Sequence, residues 1–487
     1  MKRKTQTVVA LAILATLKKG LCGAERQSVQ GEKIMNKRKN PRKEFALVML
    51  FGLTMALAVA WDATHARADN SWTMPIIEPH PTLRASSPSA VTSDAVVLHW
   101  NEIAVTTIGA QPPFPAARFM ATVQLAVFEA VNAITGEYEP YLGTISAAPG
   151  ASTEAAAVAA AHGVLKAFFP GQSATLDQQR ADSLATIPDG HTKNDGIAVG
   201  EAAAAAMVAN RINDGSAPPA FLTPPNADPY EWQTTAGCPA GGGAFKHWPN
   251  VKPFGIESSS QFRAGPPPKL TSGTYARDYN EVQAVGEIIS SLRPQDRADV
   301  AQLYAVLHAH IGWNSVLRQI VSSRNDEITS TARTAAVMNM SVSDAFISVF
   351  DSKYFYRTWR PVTAIPRGDE DGNLNTASGA FTPYILTPCF PGYPSAHGAG
   401  TGAAIEVLER AYGRRHSVTV SHPNAPGIVI QYEDLRDIID DVSDARVFGG
   451  IHFRSDQDAG ERQGRDVGRY NNHNSLRRAD VEDEGSD

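Results

Sequence analysis

Apolar positions recur at three- and four-residue intervals along most of the chain, which is the spacing of one face of an α-helix. No convincing alternation of apolar and polar positions precedes residue 215, and only residues 417–431 suggest a short β-hairpin. The sequence therefore predicts an all-α helical bundle with long Pro/Gly-rich loops. The predicted helices cover residues 93–107, 115–134, 152–169, 194–212, 275–292, 295–311, 314–323, 329–350, 396–412 and 433–448.

Residues 216–275 interrupt this helical pattern. They hold 11 prolines and the run Gly241-Gly242-Gly243. A loop of this length inside a compact domain is usually functional or a linker. We expect it to form a wall of an active site, the alternative being a segment that only wraps the surface. Its aromatic residues look exposed: Trp232, Trp248, Phe254 and Phe262.

The N-terminal segment has the pattern of an export signal. Met35 begins a basic stretch, residues 46–60 are apolar, and Ala66-Arg67-Ala68 offers a small-x-small cleavage site. We therefore predict that residues 1–68 are an extension and a signal peptide, the signal covering about residues 35–68. The mature protein is expected to be periplasmic or secreted. An uncleaved membrane anchor is the alternative, and we expect no stable membrane span in the mature form.

Charge and cysteine content limit the possible partners. The whole chain has a net charge of −6, and without residues 1–68 the 31 basic and 46 acidic residues leave −15. An acidic exported protein is a poor nucleic-acid binder, so no nucleic-acid partner is expected. Beyond the predicted signal only Cys238 and Cys389 remain. An oxidising compartment would permit a disulfide between them, but two unpaired buried thiols fit the sequence equally well.

Candidate chemistry lies in three short segments towards the C-terminal end. They are KYFYRTWRP over residues 353–361, PSAH over residues 394–397 and RVFGGIHFRSD over residues 446–456. Their fixed positions supply one lysine, two arginines, one serine, two histidines and one aspartate. Three cations would not be buried together unpaired, so the segments point to a bound tetrahedral oxyanion, phosphate or its analogue vanadate.

The first two segments are ambiguous when each is taken alone. Lys353 should lie near the C-terminal end of a helix, with Arg360 about two turns further on if that helix continues. Ser395 should cap the helix that begins at Ala396, whose free amide groups would face an anion. The alternative is that Ser395 only caps the helix and that His397 is a surface residue.

The third segment pairs a histidine with a carboxylate. The spacing of His452 and Asp456 lets the carboxylate meet one imidazole nitrogen if the stretch is helical, which would fix the tautomer and free the other nitrogen. The alternative is that Asp444 and Asp456 pair with Arg446 and Arg454 on a surface.

Together, the segments resemble the superfamily of type 2 phosphatidic acid phosphatases and vanadium haloperoxidases, whose signature is K-x6-RP, PSGH and SR-x5-H-x3-D. Ala396 replaces the glycine of PSGH, and Ala445 replaces the serine before the arginine. Weaker similarity to vanadium haloperoxidases extends over residues 119–134 and 247–268 and the pair Asp344-Ala345. The matching positions are Lys353, Arg360, Pro361, Pro394, Ser395, His397, Arg446, His452 and Asp456.

This resemblance implies a vanadate-dependent haloperoxidase whose catalytic core covers residues 276–479, between a helical region with its Pro-rich loop over 69–275 and an acidic tail over 480–487. Hydrogen peroxide, halide and a small organic acceptor would be its partners, and a homodimer fits the resemblance. The alternative is an acid phosphatase that cleaves a phosphate ester through a phosphohistidine. An exported oxyanion-binding protein without catalysis is a third class, which would have no need for His397.

The resemblance also implies a role for each matching residue. His452 would be the vanadium ligand or the nucleophile, oriented by Asp456, and His397 would transfer protons. Lys353 would also polarise the peroxide. The residues that would hold the oxyanion are Lys353, Arg360, Arg446, the Ser395 hydroxyl and the Ala396 amide, together with His452.

Other polar residues lie outside the signature. His308 and His310 are expected in the core or on the surface, the alternative being a supporting role beside the site. Asp344 either pairs with an active-site arginine or does not, and the sequence leaves both readings open.

Overall fold

The computed structural model describes residues 94–239 and 241–479. The expected signal peptide and acidic tail lie outside these ranges. Within them the chain forms 13 α-helices and one antiparallel hairpin, β1 (Val418–Ser421) and β2 (Val429–Tyr432). The predicted all-α class and the single short hairpin are confirmed. The helices are α1 (Ala95–Ile108), α2 (Pro113–Thr135), α3 (Thr153–Phe168), α4 (Ser173–Ala185), α5 (His191–Arg211), α6 (Gly273–Val285), α7 (Gln295–Val306), α8 (Ala309–Val321), α9 (Ile328–Tyr356), α10 (Pro361–Ala364), α11 (Ala396–Tyr412), α12 (Leu435–Val447) and α13 (Arg454–Asn474).

Four predicted helices have a wrong end, and three helices were not predicted. The helix expected over 314–323 begins at Ala309, and the helix expected over 329–350 continues to Tyr356. The helix expected over 275–292 stops at Val285, because the following residues turn to pair with another segment, Ile288 N–H donating to the Thr382 carbonyl at 2.8 Å. The helix expected over 295–311 stops at Val306, and α8 begins at Ala309. The pattern did not predict α4, α10 or α13.

One hydrophobic core joins the early and late helices. It runs from Val97 on α1 to Leu476 beyond α13. The helix α9 is buried over nearly its whole length and packs against α2, α11 and α13. The core therefore fixes α9 and α11, which carry two of the three sequence segments.

The helix α2 is long and apolar enough to cross a membrane by length and composition. Most of its apolar window is buried by the surrounding protein, however, which is the environment of a core helix.

The aromatic residues of the Pro-rich loop point inward, contrary to expectation. Trp232, Trp248 and Phe254 are buried, and Phe262 is half-buried against Tyr470, with ring centroids 5.4 Å apart. Burial of these aromatic side chains helps to hold the loop against the helices.

Two further contacts fix this loop to the bundle. Cys238 forms a disulfide with Cys389, which settles the alternative left open by the sequence. Asp344 on α9 accepts hydrogen bonds from the amides of Phe254 at 2.7 Å and Gly255 at 2.7 Å.

Asp344 therefore does not pair with an active-site arginine. Its carboxylate is fully buried and also accepts from the Ile256 amide at 3.1 Å and from the Asn471 side chain at 3.0 Å. Burial raises the pKa of this carboxyl, and the amide donors oppose the rise. The Asp344 carboxylate therefore anchors the Pro-rich loop to α9.

Candidate functional site

The three sequence segments meet at the ends of four helices. Lys353 lies near the C-terminal end of α9 and Arg446 near the C-terminal end of α12, whereas α11 and α13 begin there. The starts of α11 and α13 are joined directly, because the Ser395 amide donates to the Asp456 carbonyl at 2.8 Å. The structure buries Lys353, Arg360, Ser395, Ala396, Arg446, His452 and Asp456 and leaves His397 partly accessible.

Lys353 and Arg360 are brought together by a bend in the backbone. The helix α9 ends at Tyr356, and Arg357 adopts a left-handed conformation with φ of 50°. Arg360 is therefore not two helical turns beyond Lys353, as the spacing suggested, but lies immediately before α10. The Lys353 ammonium donates to the carbonyls of Pro391 at 2.8 Å and Gly392 at 2.7 Å.

The Arg360 guanidinium is fully buried and only partly satisfied. Its Nε donates to the Phe390 carbonyl at 3.0 Å and its Nη1 to the Ile451 carbonyl at 2.8 Å. Its Nη2 is buried without a partner among residues 94–239 and 241–479. Burial lowers the pKa of Arg360 to about 10, which leaves it charged at neutral pH.

His452 lies between Arg360 and Asp456. Its Nδ1 is 2.9 Å from the Asp456 carboxylate, and its Nε2 is 2.7 Å from Arg360 Nη1. Because a guanidinium only donates, Nε2 must offer its lone pair there, and Nδ1 must carry the proton that faces the carboxylate. This tautomer directs the lone pair of Nε2 towards the cations.

The pairing of His452 with Asp456 does not need a continuous helix through both residues. His452 precedes α13, and Asp456 is the third residue of that helix, where it also accepts from the Phe453 amide at 3.2 Å. The alternative, in which these residues form ion pairs on a surface, is wrong for Asp456 and Arg446 because both are buried. It holds only for Asp444, which contacts Arg454 at 2.7 Å.

Ser395 has the predicted capping position. Its side chain accepts from the Gly398 amide at 3.2 Å, which leaves the hydroxyl proton free to donate to an anion. The amides of Ala396 and His397 are the first two of α11 and have no carbonyl one turn earlier within the helix. The helix start therefore adds fixed positive partial charge to the cluster.

Arg446 supplies the third cation. Its Nη1 donates to the Tyr304 carbonyl at 3.0 Å, and its Nε has no partner in the part of the chain that the structure describes. Burial and the charge of Arg360 lower the pKa of Arg446 to about 9.

The electrostatics of the cluster favour an added anion. Burial, followed by the charge of Arg360, lowers the pKa of Lys353, and the same two causes act on His452. Burial and the charge of Arg446 lower the pKa of His397. Burial raises the pKa of Asp456, opposed by Lys353 and Arg360. An oxyanion would compensate the cations and accept from the unpartnered donors.

A cavity of about 350 Å³ adjoins the cluster through His397, Arg446 and Ala396. Phe390 separates it from the two deeper cations, whose charged groups each lie 5.2 Å from its ring centroid. Phe245 from the Pro-rich loop lines the same cavity, so the expectation that this loop walls the site is confirmed there.

Phe390 was not predicted as part of this region, and His308 was placed beside the site only as the alternative reading. Phe390 belongs to none of the three segments. His308 lines the cavity and contributes to the lowered pKa of His397, whereas His310 is a core residue that contacts the Gly109 carbonyl at 3.2 Å. No sequence signal separates the two histidines, because both fall at the end of the helix that was predicted over residues 295–311.

With this geometry in place, the comparisons with known proteins identify the fold. Residues 333–479 match the family model described as the VCPO second helical-bundle domain. This match confirms, for that domain, the resemblance to the vanadium haloperoxidase superfamily that the motifs carried. A comparison with curated proteins finds no match.

The solved structures extend the likeness over most of the chain. A bacterial vanadium-dependent iodoperoxidase is 24% identical, with 81% of this chain and 100% of that chain covered and a TM-score of 0.66. A holo-type bacterial vanadium-dependent chloroperoxidase is 19% identical, with 75% of this chain and 93% of that chain covered and a TM-score of 0.60. The chain therefore has the helical-bundle fold of vanadium haloperoxidases.

Proposed function

We propose that this protein is a vanadate-dependent haloperoxidase, which uses hydrogen peroxide to oxidise halide to a hypohalous-acid-type halogenating species. The fold and the matched domain support an enzyme of that superfamily. The observation that carries the proposal is a pair of buried guanidinium donors in the cluster that holds His452, Arg360 Nη2 and Arg446 Nε, which have no partner among the described residues. Buried charged donors are rarely left unsatisfied, so they indicate an acceptor-rich anion.

The donor set of this cluster fits vanadate. Lys353, Arg360 and Arg446 would neutralise its oxygens, and the Ser395 hydroxyl and Ala396 amide would donate hydrogen bonds to them. His452 Nε2 carries the lone pair that a metal centre would take as a ligand once Arg360 Nη1, which donates to it at 2.7 Å here, turned to the oxyanion. Asp456 holds the ring in the tautomer that this requires. The Ala396 side chain faces the cavity and removes no donor.

The chemistry that vanadate supplies when bound is the activation of hydrogen peroxide towards halide. The protein would provide the proton transfers through His397, which is neutral in the free site because burial and Arg446 lower its pKa. A neutral imidazole there can accept a proton from incoming peroxide. Lys353 would stabilise negative charge that develops on the peroxide oxygens.

A phosphatase reaction is the second candidate, because one observation favours it as well. The His452 tautomer that suits a metal ligand also suits a nucleophile, since Nε2 offers its lone pair while Asp456 stabilises the proton on Nδ1. In that reaction His397 would protonate the leaving alkoxide.

The two reactions are separated by one pair of assays. Purified protein loaded with orthovanadate is expected to brominate a phenolic dye in the presence of bromide and peroxide, and the vanadate-free protein is expected not to. Turnover of a phosphate ester by the vanadate-free form, without halogenation by the loaded form, would reverse the assignment. Binding of vanadate without either reaction would leave a non-catalytic oxyanion-binding protein.

We also propose that the protein is exported. The signal-like pattern over residues 35–68 lies outside the described residues, and the Cys238–Cys389 disulfide supports an oxidising compartment. Fractionation of cells that express the full chain tests this proposal, and mature protein confined to the cytosol would refute it.

A further inference from the structure

The cavity beside His397 is more extensive and more apolar than halide and peroxide require. Both are small, and neither needs a pocket of this volume with aromatic walls. Its volume of about 350 Å³ falls within the range of about 300–1,000 Å³ that is usual for small-molecule pockets. The aromatic side chains in its walls are Phe114, Phe245, Tyr304, Trp313, Phe346 and Phe390.

His308 adds a polar group to this apolar wall. It precedes α8 and is only partly exposed. Among residues 94–239 and 241–479, neither His308 nor His397 has a hydrogen-bond partner for its ring nitrogens. Burial and the charge of His422 lower the pKa of His308, so that its ring is neutral at pH 7. A neutral imidazole can both accept from and donate to an uncharged hydroxyl group.

We propose that this cavity binds the organic acceptor, an apolar ring-containing molecule with a hydroxyl group such as a phenol, and that His308 engages that hydroxyl. The role as acceptor rests on the proposed function, whereas the binding of the molecule does not. In the reaction, a ring carbon forms a bond to halogen as the halogen–oxygen bond of hypohalous acid breaks. The carbon loses a proton, and the oxygen leaves as water.

Holding the acceptor here would determine which carbon is halogenated. The halogenating species forms at the cluster, and His397 and Arg446 belong both to that cluster and to the cavity wall. The opposing possibility is that the cavity is only the path by which halide and peroxide reach the cluster. The two readings predict different effects when the cavity is partly filled.

The test uses 2-naphthol as the probe and vanadate-free protein, and it follows binding by calorimetry. Wild-type protein is expected to bind the probe saturably. Ala305→Phe fills part of the cavity from α7 and is expected to weaken binding about tenfold or more. Leu374→Phe, at an exposed position that does not line the cavity, is expected to leave the affinity unchanged.

His308→Leu should weaken binding of 2-naphthol but not of naphthalene, and His308→Gln should restore part of the loss.

The vanadate-loaded variants then separate this inference from the proposed function. Oxidation of iodide to triiodide needs no organic acceptor, so Ala305→Phe is expected to retain it. The inference is overturned if wild-type protein does not bind the probe, if Ala305→Phe binds it unchanged, or if iodide oxidation falls in step with probe binding. Probe binding without any halide oxidation by wild-type protein would refute the proposed function and the acceptor role, but it would support the cavity as a site for such molecules.

Discussion

His452 is held between a carboxylate and a guanidinium, and these two neighbours give its ring nitrogens different tasks. Asp456 fixes the proton on Nδ1, and Arg360 Nη1 occupies the lone pair of Nε2. The spacing of the two residues was enough to predict their contact. It did not predict Arg360 as the second neighbour, because that contact depends on the bend after Tyr356, which the spacing does not encode.

Removal of the Asp456 carboxylate should weaken oxyanion binding through His452. In Asp456→Ala protein the imidazole loses the partner that fixes its tautomer, and such changes typically reduce affinity by about 10–100-fold. Calorimetric titration with orthovanadate measures the effect. Asp458→Ala is the matched control, since Asp458 is exposed two residues further along the same helix. Equal affinities for wild-type and Asp456→Ala protein would contradict the assigned role.

His310 should make stability sensitive to acid. Burial lowers its pKa to about 3, whereas an unfolded chain has a histidine pKa of about 6.5. Between these values only the unfolded state gains the proton, so the free energy of unfolding decreases as the pH falls. The contribution is about 1.4 kcal/mol per pH unit. Urea unfolding from pH 7 to pH 5 should show a smaller slope for His310→Asn and an unchanged slope for the exposed His191→Asn. Parallel pH profiles for wild-type and His310→Asn protein would refute the prediction.

At the scale of elements, the helices that are buried on one face were predicted well, and the polar helix α13 was not. Its core-facing positions include Gly460, Gly464 and Gly468, which have no apolar side chain to produce the usual pattern. These glycines lie against carbonyls of Ser395, Ala399 and Ala403 at the start and middle of α11. Close approach of the two backbones is what joins Ser395 to Asp456, and hydrophobic periodicity cannot reveal it.

Gly464→Ala should therefore destabilise the protein. The added methyl group would overlap the Ala399 carbonyl, and overpacking of this kind costs about 1–3 kcal/mol. Gly273→Ala is the control, because Gly273 begins α6 and an added methyl group meets nothing within 4 Å. Urea unfolding of the two variants gives the comparison. A Gly464→Ala protein as stable as the control would show that α11 and α13 are not packed this closely.

For the whole molecule, the motifs predicted which residues form the site, and the rest of the chain determines what surrounds it. The three segments contain every cation and both histidines of the cluster. They do not contain Phe390, His308 or most of the cavity wall, which comes from well-separated parts of the chain. Such contacts between distant residues depend on the packing of the bundle and have no local pattern in the sequence.

The disulfide is the covalent link between the Pro-rich loop and the site. Cys238 and Cys389 are separated by 151 residues, and Cys389 precedes Phe390, whose carbonyl accepts from Arg360. Replacing both cysteines with serine should reduce the free energy of unfolding by about 3–5 kcal/mol, because a long closed loop then opens in the unfolded state. Urea unfolding of this variant beside the wild-type protein checks the prediction, and equal stability would contradict a structural role for the bond.

The central claim is that the cluster around His452 is a vanadate-dependent catalytic site. The most direct measurement is bromide oxidation by peroxide while vanadate-free protein is titrated with orthovanadate, for wild-type and His452→Ala protein in parallel. We predict a rate that rises from the background and saturates with vanadate for wild-type protein, and no rise for the variant. Equal rates with and without vanadate, or a vanadate-dependent rise that survives in His452→Ala, would contradict the account.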